Sequence, residues 1–559
     1  MTEAFQAEDK FDINVALKVV RHISSGIYRD RAGSLRELVS NCFDASATDV
    51  FIDTGFPRYD RIVIRDNGFG INERLIRKAF TQVGLSLKVT DPDLYRSNRP
   101  IIGKFGIGFL AAAHISHDVW IRSYPKGEDY GVEAKLDLEP YFLYKDSVET
   151  FDQFKYGTVQ LRKIERSRDD VGTSVELRGV RIGHFYRIIS GKGLNLVRWP
   201  AGGRREQRPG EAMRAFVEAI QSTPNLLYVD RLSGREQVLW HLAMSCPVEY
   251  LDGGPLRPGY GDEEALKLVS ELQRYNEGFD FRIWYDGVQL RKPILLPTTQ
   301  PPSRGGAEDP DLPESVLVRP ISVAGEARGK KRVEAKGYLF YQPWRIVPAE
   351  TRGLYPRLAG VGIGNTFENR FLSYLTGENP VLRVQISGEL YVLKGLDDAL
   401  NLDRSGFMEL DPEYVYLAEQ SGAEVRAFFA NAKNAYARSR RTRAAAQLEA
   451  SHAVAVEEVR KLSSRIGQNY AVKGVPSVRP SDLEHVDFKE KSVYPATEKA
   501  LVVVDHSEKT VAVTSAASED KWARIAVYVD YLLGKYLEDP EPARREFARE
   551  LRRILESVD

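Results

Sequence analysis

The chain has 559 residues, of which 43% are hydrophobic and 28% are charged, and its formal net charge at pH 7 is zero. This length exceeds what one hydrophobic core supports, so we expect three domains, and the neutral balance excludes a protein that is polycationic over its whole surface. The two cysteines have no partners at metal-ligand spacing, which excludes a disulfide scaffold and a structural zinc site and suits a reducing compartment.

The start of the chain and its apolar runs indicate where the protein resides. No basic segment followed by an apolar one opens the sequence, so we predict no signal peptide. No apolar run approaches the roughly 20 residues that a membrane-spanning helix needs. We therefore expect a cytoplasmic protein that does not bind a membrane.

The first predicted elements are two helices in residues 12–47. The first shows apolar residues at helical spacing between Ile13 and Val20. The second opens on a capping-box pattern, in which Ser34 precedes Glu37 by three residues.

Strands and one further helix complete the predicted N-terminal unit. An alanine-rich helix is expected at residues 110–116, and runs of Val and Ile predict strands at 49–54, 61–65, 119–122 and 174–178. Because the strands do not alternate with helices, we expect an α+β domain rather than a doubly wound parallel sheet. This domain is predicted to span residues 1–184.

Two further domains are expected beyond residue 184. Predicted strands at 279–285, 288–293 and 335–342 indicate a second α+β domain, residues 185–410. The third, residues 411–559, is predicted to be mainly helical: it is helical through Val472 and then has strands at 501–505 and 510–514. Its last helix carries apolar residues from Trp522 to Tyr536 on one face, which favours either core packing or a dimer contact.

A first candidate site lies on the second predicted helix. Glu37, Asn41 and Asp44 are four and then three residues apart, so a helix brings them to one face. A carboxylate can orient or deprotonate water, and an amide oxygen can coordinate Mg²⁺ that bridges phosphates. The alternative is that Glu37 only caps Ser34 and that Asn41 is a surface residue.

Two glycine-containing segments follow in the sequence. Asp66 ends an apolar strand and precedes Gly68 and Gly70, so its carboxylate could accept a hydrogen from an adenine amino group, although an ordinary turn has the same pattern. The run from Gly103 to Gly108 precedes the alanine-rich helix, and its exposed amides suit phosphate. It lacks the Gly-Lys-Ser/Thr ending of a P-loop and the preceding strand of a dinucleotide fingerprint.

The order and spacing of these three motifs resemble the nucleotide site of the GHKL ATPase superfamily, which includes DNA gyrase B, MutL, sensor kinases and the heat-shock protein 90 chaperones. The resemblance implies a GHKL-type α/β sandwich that binds ATP and Mg²⁺, with Glu37 catalytic and Asn41 a Mg²⁺ ligand. It implies that Asp66 binds adenine, that Asp44 supports the region of Asp66, and that Thr173 helps to hold the base-binding water. The other residues expected to contact ATP are Ala45, Gly68, Gly70, Ser86, Lys88, Gly103, Lys104, Phe105, Gly106, Ile107, Gly108 and Phe109.

The heat-shock protein 90 branch is the most similar part of the superfamily. Phe109 after the glycine run and the sequence from Tyr391 to Arg404 both resemble it. The resemblance implies that Arg404 contacts the γ-phosphate from the middle domain, although a surface ion pair is the alternative for this residue. It also implies a homodimer that remodels or holds a client protein.

Other readings remain open. A sensor kinase is disfavoured, because no phospho-acceptor helix precedes the ATP motifs. The main alternative is a machine that clamps nucleic acid, similar to MutL or the Morc proteins, and the sequence from Ala45 to Ile52 slightly favours it. A nucleotide-switched scaffold of bacterial stress or antiviral response is a third possibility. We interpret the basic cluster 438–443 as a solvated helix face, and His114 and His117 as structural.

Overall fold

A computed structural model gives the fold of the chain, which forms two units, Met1–Lys433 and Asn434–Asp559. The residues that the structure describes are 9–15, 32–81, 99–103, 108–139, 154–167, 170–180, 184–199, 205–223, 225–298, 316–329, 331–364, 384–401, 406–435, 437–438, 471–473, 488–497, 500–507, 510–513 and 520–557.

A nine-stranded sheet dominates the first unit. Its strands are β1 (Asp9–Val15), β2 (Asp49–Asp53), β3 (Arg61–Asp66), β4 (Asp118–Tyr124), β5 (Tyr130–Asp137), β6 (Phe154–Glu165), β7 (Gly172–Arg178), β8 (Arg282–Tyr285) and β9 (Val288–Gln289). Their order is β1-β6-β5-β4-β7-β3-β2-β8-β9, and every neighbouring pair is antiparallel except β2 and β8. The strands predicted at 49–54, 61–65, 119–122 and 174–178 are confirmed as β2, β3, β4 and β7.

The described residues of the same part of the chain also form helices α1 (Gly33–Asp44), α2 (Glu73–Thr81), α3 (His184–Ile189), α4 (Glu211–Ser222), α5 (Gly234–Ser245) and α6 (Glu263–Glu277). The alanine-rich segment forms a 3₁₀ helix, Gly108–His114. Helix α1 buries Leu35, Val39 and Phe43 in the same core as Val50 and Ile64 of the sheet. It begins at Gly33 with Ala32 as its N-cap, so Ser34 lies inside the helix and the predicted capping box at Ser34 is wrong.

The predicted helix at the start of the chain is wrong where the structure describes it. Residues 9–15 form β1, which pairs with β6 at the edge of the sheet. The strand signal was present in the sequence, because Phe11, Ile13 and Val15 alternate with the polar residues Asp12 and Asn14. The rest of the predicted helix lies outside the described residues.

The first sheet takes two of its strands from beyond residue 184. β8 pairs parallel with β2, and β9 turns back beside β8, although both had been assigned to the second domain. One apolar core includes Phe43 of α1, Trp240 of α5, Phe281 before β8 and Tyr391 further along the chain. The division into domains 1–184, 185–410 and 411–559 therefore stays a prediction.

A second sheet of five strands follows in the same unit. Its strands are β10 (Leu317–Glu326), β11 (Arg332–Tyr341), β12 (Gly353–Leu358), β13 (Val361–Gly362) and β14 (Ile386–Lys394), in the order β10-β11-β14-β12-β13. A helix α7 covers residues 412–435, as predicted. The Asp411 carboxylate accepts a hydrogen bond from the N–H of Glu413 at 2.8 Å, which caps the start of that helix.

The described residues of the second unit form a sheet of four strands and two helices. The strands are β15 (Ala471–Lys473), β16 (Lys491–Thr497), β17 (Ala500–Asp505) and β18 (Thr510–Val513), and the helices are α8 (Asp520–Tyr536) and α9 (Glu541–Ser557). The α+β class is confirmed. The structure adds β16 and α9 to the elements expected here and places Val472 in a strand rather than a helix. Across the described ranges, no helix is long and apolar enough to cross a bilayer.

The buried side of α8 differs from its predicted apolar face. Ile525 and Tyr536 of that face are 42% and 71% exposed, whereas Ala526, Val527 and Asp530 are buried. The Asp530 carboxylate accepts a hydrogen bond from the Tyr494 hydroxyl at 2.5 Å. A buried carboxylate that is hydrogen-bonded to the sheet thus orients this helix, which apolar periodicity alone does not predict.

Candidate functional site

Helix α1 carries the three polar residues that the sequence singled out. Glu37, Asn41 and Asp44 lie within Gly33–Asp44 at spacings that place them on one face. The Glu37 side chain is 14% exposed, and its Oε1 lies 4.0 Å from Nε of the buried Arg36. Asn41 is partly exposed. A carboxylate next to a cation and an accessible amide thus share one turn of helix.

Asp44 connects this helix to the glycine segment. Its carboxylate oxygens accept hydrogen bonds from the backbone N–H groups of Ile102 and Gly103, both at 2.7 Å. The side chain is 1% exposed, so both bonds are shielded from water. Asp44 therefore holds the start of the glycine segment, whereas the sequence had suggested support for the region of Asp66.

Asp66 lies at the end of β3, in the middle of the sheet. Its Oδ1 accepts a hydrogen bond from the N–H of Gly68 at 2.8 Å. Burial raises the pKa of Asp66 to about 6, while hydrogen bonds from Gly68, the Cys42 thiol and the Thr173 backbone oppose that rise. Cys42 is a buried thiol outside any disulfide, and nothing in its sequence context indicated this contact.

The turn after β3 packs closely against the end of α1. The carbonyl of Ala45 accepts a hydrogen bond from the N–H of Phe69 at 3.0 Å. A Cβ atom on Gly68 would overlap Ala45, which explains a glycine at this position. Gly70 adopts φ +75°, a conformation that other residues rarely take. Asn67 accepts hydrogen bonds from the N–H groups of Thr48 and Asp49, so it fixes the start of β2.

Thr173 is joined to the same region through a serine that the sequence did not indicate. The Oγ of Ser123, on β4, lies 2.9 Å from the Thr173 hydroxyl and accepts a hydrogen bond from the N–H of Ile71 at 2.7 Å. Ser123 and Thr173 are both buried. Gly172 has φ +73°, and its Cα faces the Asp66 carbonyl so closely that a Cβ atom would overlap it.

The structure thus brings together α1, the end of β3, the start of β7 and the first glycine of the glycine segment. Of the glycine run, Gly108 and Phe109 are described only through their backbone, which begins the 3₁₀ helix. The other predicted site residues lie outside the described residues: Ser86, Lys88, Lys104, Phe105, Gly106, Ile107 and Arg404.

This fold and this arrangement of motifs define a GHKL-type ATPase domain. The sequence profile of the family described as histidine kinase-, DNA gyrase B-, and HSP90-like ATPase matches residues 29–160. That range contains α1, Asp66 and the whole glycine run, whereas Thr173 and Arg404 lie beyond it. Residues 29–160 therefore belong to this ATPase family.

Individual relatives are similar to this chain over less than a third of its length. The putative type II restriction enzyme HgiDII of Herpetosiphon aurantiacus is 31% identical over 134 residues, which are 24% of this chain and 21% of the relative. The chaperone protein HtpG of Natranaerobius thermophilus is 26% identical over 191 residues, which are 30% of this chain and 28% of the relative. HtpG of Rickettsia canadensis is 27% identical, with shares of 30% and 29%.

Proposed function

We propose that this protein binds and hydrolyses ATP and that the cycle remodels or holds a client protein. The observation that carries the ATP part of the proposal is the pair of hydrogen bonds from the glycine segment to Asp44. They hold a segment rich in backbone N–H groups, which suits phosphates, against the helix that bears Glu37 and Asn41. The phosphates, the water-activating carboxylate and the metal-binding amide are thereby expected to meet at one place.

Four residues have a definite task in this proposal. Glu37 orients a water molecule toward the γ-phosphate and accepts its proton. Asp66 accepts a hydrogen bond from the adenine amino group, and Thr173 supports that carboxylate through its backbone N–H. Arg404 is assigned to stabilising negative charge on the γ-phosphate as the bond breaks, because a guanidinium stays charged and matches phosphate geometry.

The donor chemistry at α1 fits Mg²⁺. Asn41 offers an amide oxygen one turn from Glu37, and Mg²⁺ prefers oxygen ligands and keeps several waters. Within the described part of the chain, no group of three or more His, Cys, Asp or Glu residues could hold a metal ion. Asn41 would therefore share the ion with phosphate oxygens and water. When bound, Mg²⁺ neutralises phosphate charge.

The client-directed part of the proposal is supported by similarity to the HtpG chaperones. The chain spans less than a third of the length of these relatives. That this protein has their chaperone activity is therefore a hypothesis. We place the protein in the cytoplasm, where buried thiols such as Cys42 and Cys246 stay reduced. A homodimer is part of the proposal, with the exposed side of α8 as the candidate contact.

Steady-state ATP hydrolysis and nucleotide binding by wild type, Glu37→Ala and Arg404→Ala test the proposal. We expect both variants to bind ATP, with turnover reduced by about 10² to 10⁴-fold in Glu37→Ala, because the general base is gone. Loss of binding in Glu37→Ala would instead assign this residue a structural role. Normal hydrolysis by Arg404→Ala would contradict the catalytic role that the resemblance of residues 337–410 to the chaperone assigns to Arg404.

A second candidate function is a GHKL ATPase that clamps nucleic acid, similar to MutL or the Morc proteins. It is favoured by the relative named as a putative type II restriction enzyme, which is 31% identical over 134 residues. Retention on DNA that weakens steeply with salt, and that requires ATP, would support this function. Holding of an unfolded protein that is insensitive to added DNA would support the chaperone function instead.

A further inference from the structure

A continuous network of buried polar side chains lies between helices α5 and α6 and the second sheet. Each member exposes 3% of its surface or less, and the members are Tyr250, Asn276, Lys292, Arg357, Glu389 and Tyr391. Buried polar groups are costly unless they are hydrogen-bonded, and a satisfied network makes its surroundings rigid. The proposed ATPase mechanism makes no use of this network.

The hydrogen bonds run in one direction through the network. The Tyr250 hydroxyl donates to Glu389 Oε2 at 2.6 Å. Because its hydrogen is used there, the Tyr391 hydroxyl donates to Tyr250, also at 2.6 Å. The Tyr391 oxygen accepts from the amide of Asn276 at 3.0 Å, and the Asn276 oxygen accepts from Lys292 Nζ at 2.6 Å.

Two basic side chains, Lys292 and Arg357, connect both ends of the network to the end of α5. Lys292 donates to the backbone carbonyl of Val248. Arg357, which is ion-paired with the network's carboxylate, donates through Nη1 to the carbonyl of Met244 at 2.8 Å. These two carbonyls lie on either side of the buried Cys246, so the network holds the chain where α5 ends.

Helix α5 lies against the helix that carries the proposed catalytic carboxylate. Helices α1 and α5 pack together, and Cys246 is 1% exposed. Burial raises the pKa of Cys246 to about 12, while the charges of Arg36 and Glu37 act on it in opposite directions. Cys246 also belongs to the same hydrophobic core as Leu35, Val39 and Phe43 of α1.

A series of aromatic rings forms a second connection between the network and α1. Tyr391 contacts Tyr275, with 5.8 Å between ring centroids, and Tyr275 contacts Phe279 at 5.0 Å. Phe279 in turn packs edge-on against Phe43 of α1 at 5.4 Å. Phe43 stands directly before Asp44, so the rings lead to the part of α1 that holds the glycine segment.

We propose that Tyr250 is a positioning residue for ATP hydrolysis. Through the network it holds the end of α5, and with it the face of α1 that carries Glu37, in the geometry that the reaction needs. This inference rests on the proposed ATPase function. Tyr250 touches neither nucleotide nor water in this scheme and acts only through the packing of α1.

The matched substitutions Tyr250→Phe and Tyr338→Phe separate positioning from general stability. Both tyrosines are buried and donate to the same oxygen, Glu389 Oε2, at 2.6 and 2.8 Å. Tyr338 belongs to β11, within the second sheet, and its hydroxyl donates to Glu389. Each variant deprives Glu389 of one donor, but only Tyr250→Phe also breaks the connection between Glu389 and Tyr391, which leads on to Asn276 of α6.

We expect Tyr250→Phe to lower kcat by about tenfold, with the KM for ATP within about twofold of wild type, because the variant disturbs the geometry of the reaction and not the contacts that bind ATP. We expect Tyr338→Phe to keep kcat within about twofold of wild type, because it leaves the path intact. Equal kcat values for the two variants would overturn the inference. If Tyr250→Phe does not fold, Tyr391→Phe serves instead, because it removes the donor to Tyr250 and the acceptor for Asn276 but leaves the bond from Tyr250 to Glu389.

Hydrogen exchange without nucleotide gives a readout that does not depend on turnover. We expect the amides of residues 33–44 to exchange faster in Tyr250→Phe than in Tyr338→Phe. Equal exchange in the two variants would contradict the positioning role. Wild-type protein that hydrolyses no more ATP than Glu37→Ala would instead contradict the proposed function, and the exchange rates would then decide the positioning role alone.

Discussion

At the scale of single residues, Asp66 is the carboxylate of the candidate site whose pKa is changed by its surroundings. Burial raises its pKa from 3.8 to about 6, so at neutral pH it is still mostly ionised and able to accept a hydrogen bond. For the nucleotide-free fold, a raised pKa means that this group favours folding most below pH 3.8. That contribution is lost as the pH rises through about 6.

The affinity for an adenine nucleotide should follow the ionisation of Asp66. We expect the affinity for ADP to fall by about tenfold between pH 7 and pH 5, because protonation removes the negative charge that makes the Asp66 carboxylate a strong acceptor. Calorimetric titration over this range measures the effect, and Asp66→Asn is the control, because its pH profile contains only the titration of ADP and of other groups. A wild-type profile identical to that of Asp66→Asn would contradict the role of Asp66.

Gly172 should be intolerant of a side chain. Gly172→Ala places a Cβ against the Asp66 carbonyl in a residue with φ +73°, and Gly127→Ala is a control with φ +90° and no neighbour within 4 Å. We expect the control to lower the free energy of unfolding by about 1 kcal/mol and Gly172→Ala by about 3 kcal/mol or more. Urea unfolding measures both values, and equal losses would mean that contact with β3 is unimportant.

At the scale of elements, helix α1 combines an apolar face in the core with a polar face at the candidate site. Leu35, Val39 and Phe43 are buried, while Glu37 and Asn41 retain some exposure. The core therefore sets the rotation of the helix about its axis, and that rotation aims the polar face. The strands that follow α1, β2 and β3, were predicted correctly because runs of Val and Ile mark them in the sequence.

Asp44→Asn tests the attachment of the glycine segment to α1. The Asn side chain keeps one accepting oxygen, but it lacks the negative charge of Asp44 and the second oxygen that the N–H groups of Ile102 and Gly103 require. We expect a loss of about 1 to 3 kcal/mol in the free energy of unfolding, together with weaker ATP binding. The control is Asp53→Asn, whose carboxylate makes an exposed bond to Gly55. Unchanged ATP affinity in Asp44→Asn would show that this attachment does not shape the phosphate site.

Two elements differ from their predictions. The helix predicted from residue 12 begins within strand β1, in which polar and apolar residues alternate. The buried side of α8 contains Asp530, which tertiary hydrogen bonding favours and apolar periodicity disfavours. In both places, contacts with distant strands decided the outcome.

At the scale of the whole molecule, the unit Asn434–Asp559 contains a buried ion pair of its own, between Asp530 and Arg544. In the unit Asn434–Asp559, Asp530 is 1% exposed, accepts from Tyr494, and lies 3.2 Å from Nε of the buried Arg544. Removing one member of a buried ion pair leaves the other charge without compensation. The stability of this unit should therefore depend on Asp530.

We expect Asp530→Asn to lower the stability of residues 488–557 by about 3 kcal/mol, because the charge of Arg544 then lacks its partner. Hydrogen exchange measured for these residues reports the change directly. Glu546→Gln is the control, since its pair with Arg549 at 3.3 Å is mostly exposed. Similar exchange in the two variants would show that the buried pair contributes little.

The sequence alone determined the chemistry of the candidate site, because residue type and short spacing set it. The helical spacing of Glu37, Asn41 and Asp44 and the glycines after Asp66 are local features. Tertiary structure alone decided that Asp44 binds Gly103, 59 residues away, and that Tyr250 meets Glu389, 139 residues away. It also decided that β8 extends the first sheet and that burial weakens the acidity of Asp66. The reason is physical: such contacts depend on how distant segments pack around a shared core, and no local pattern encodes that packing.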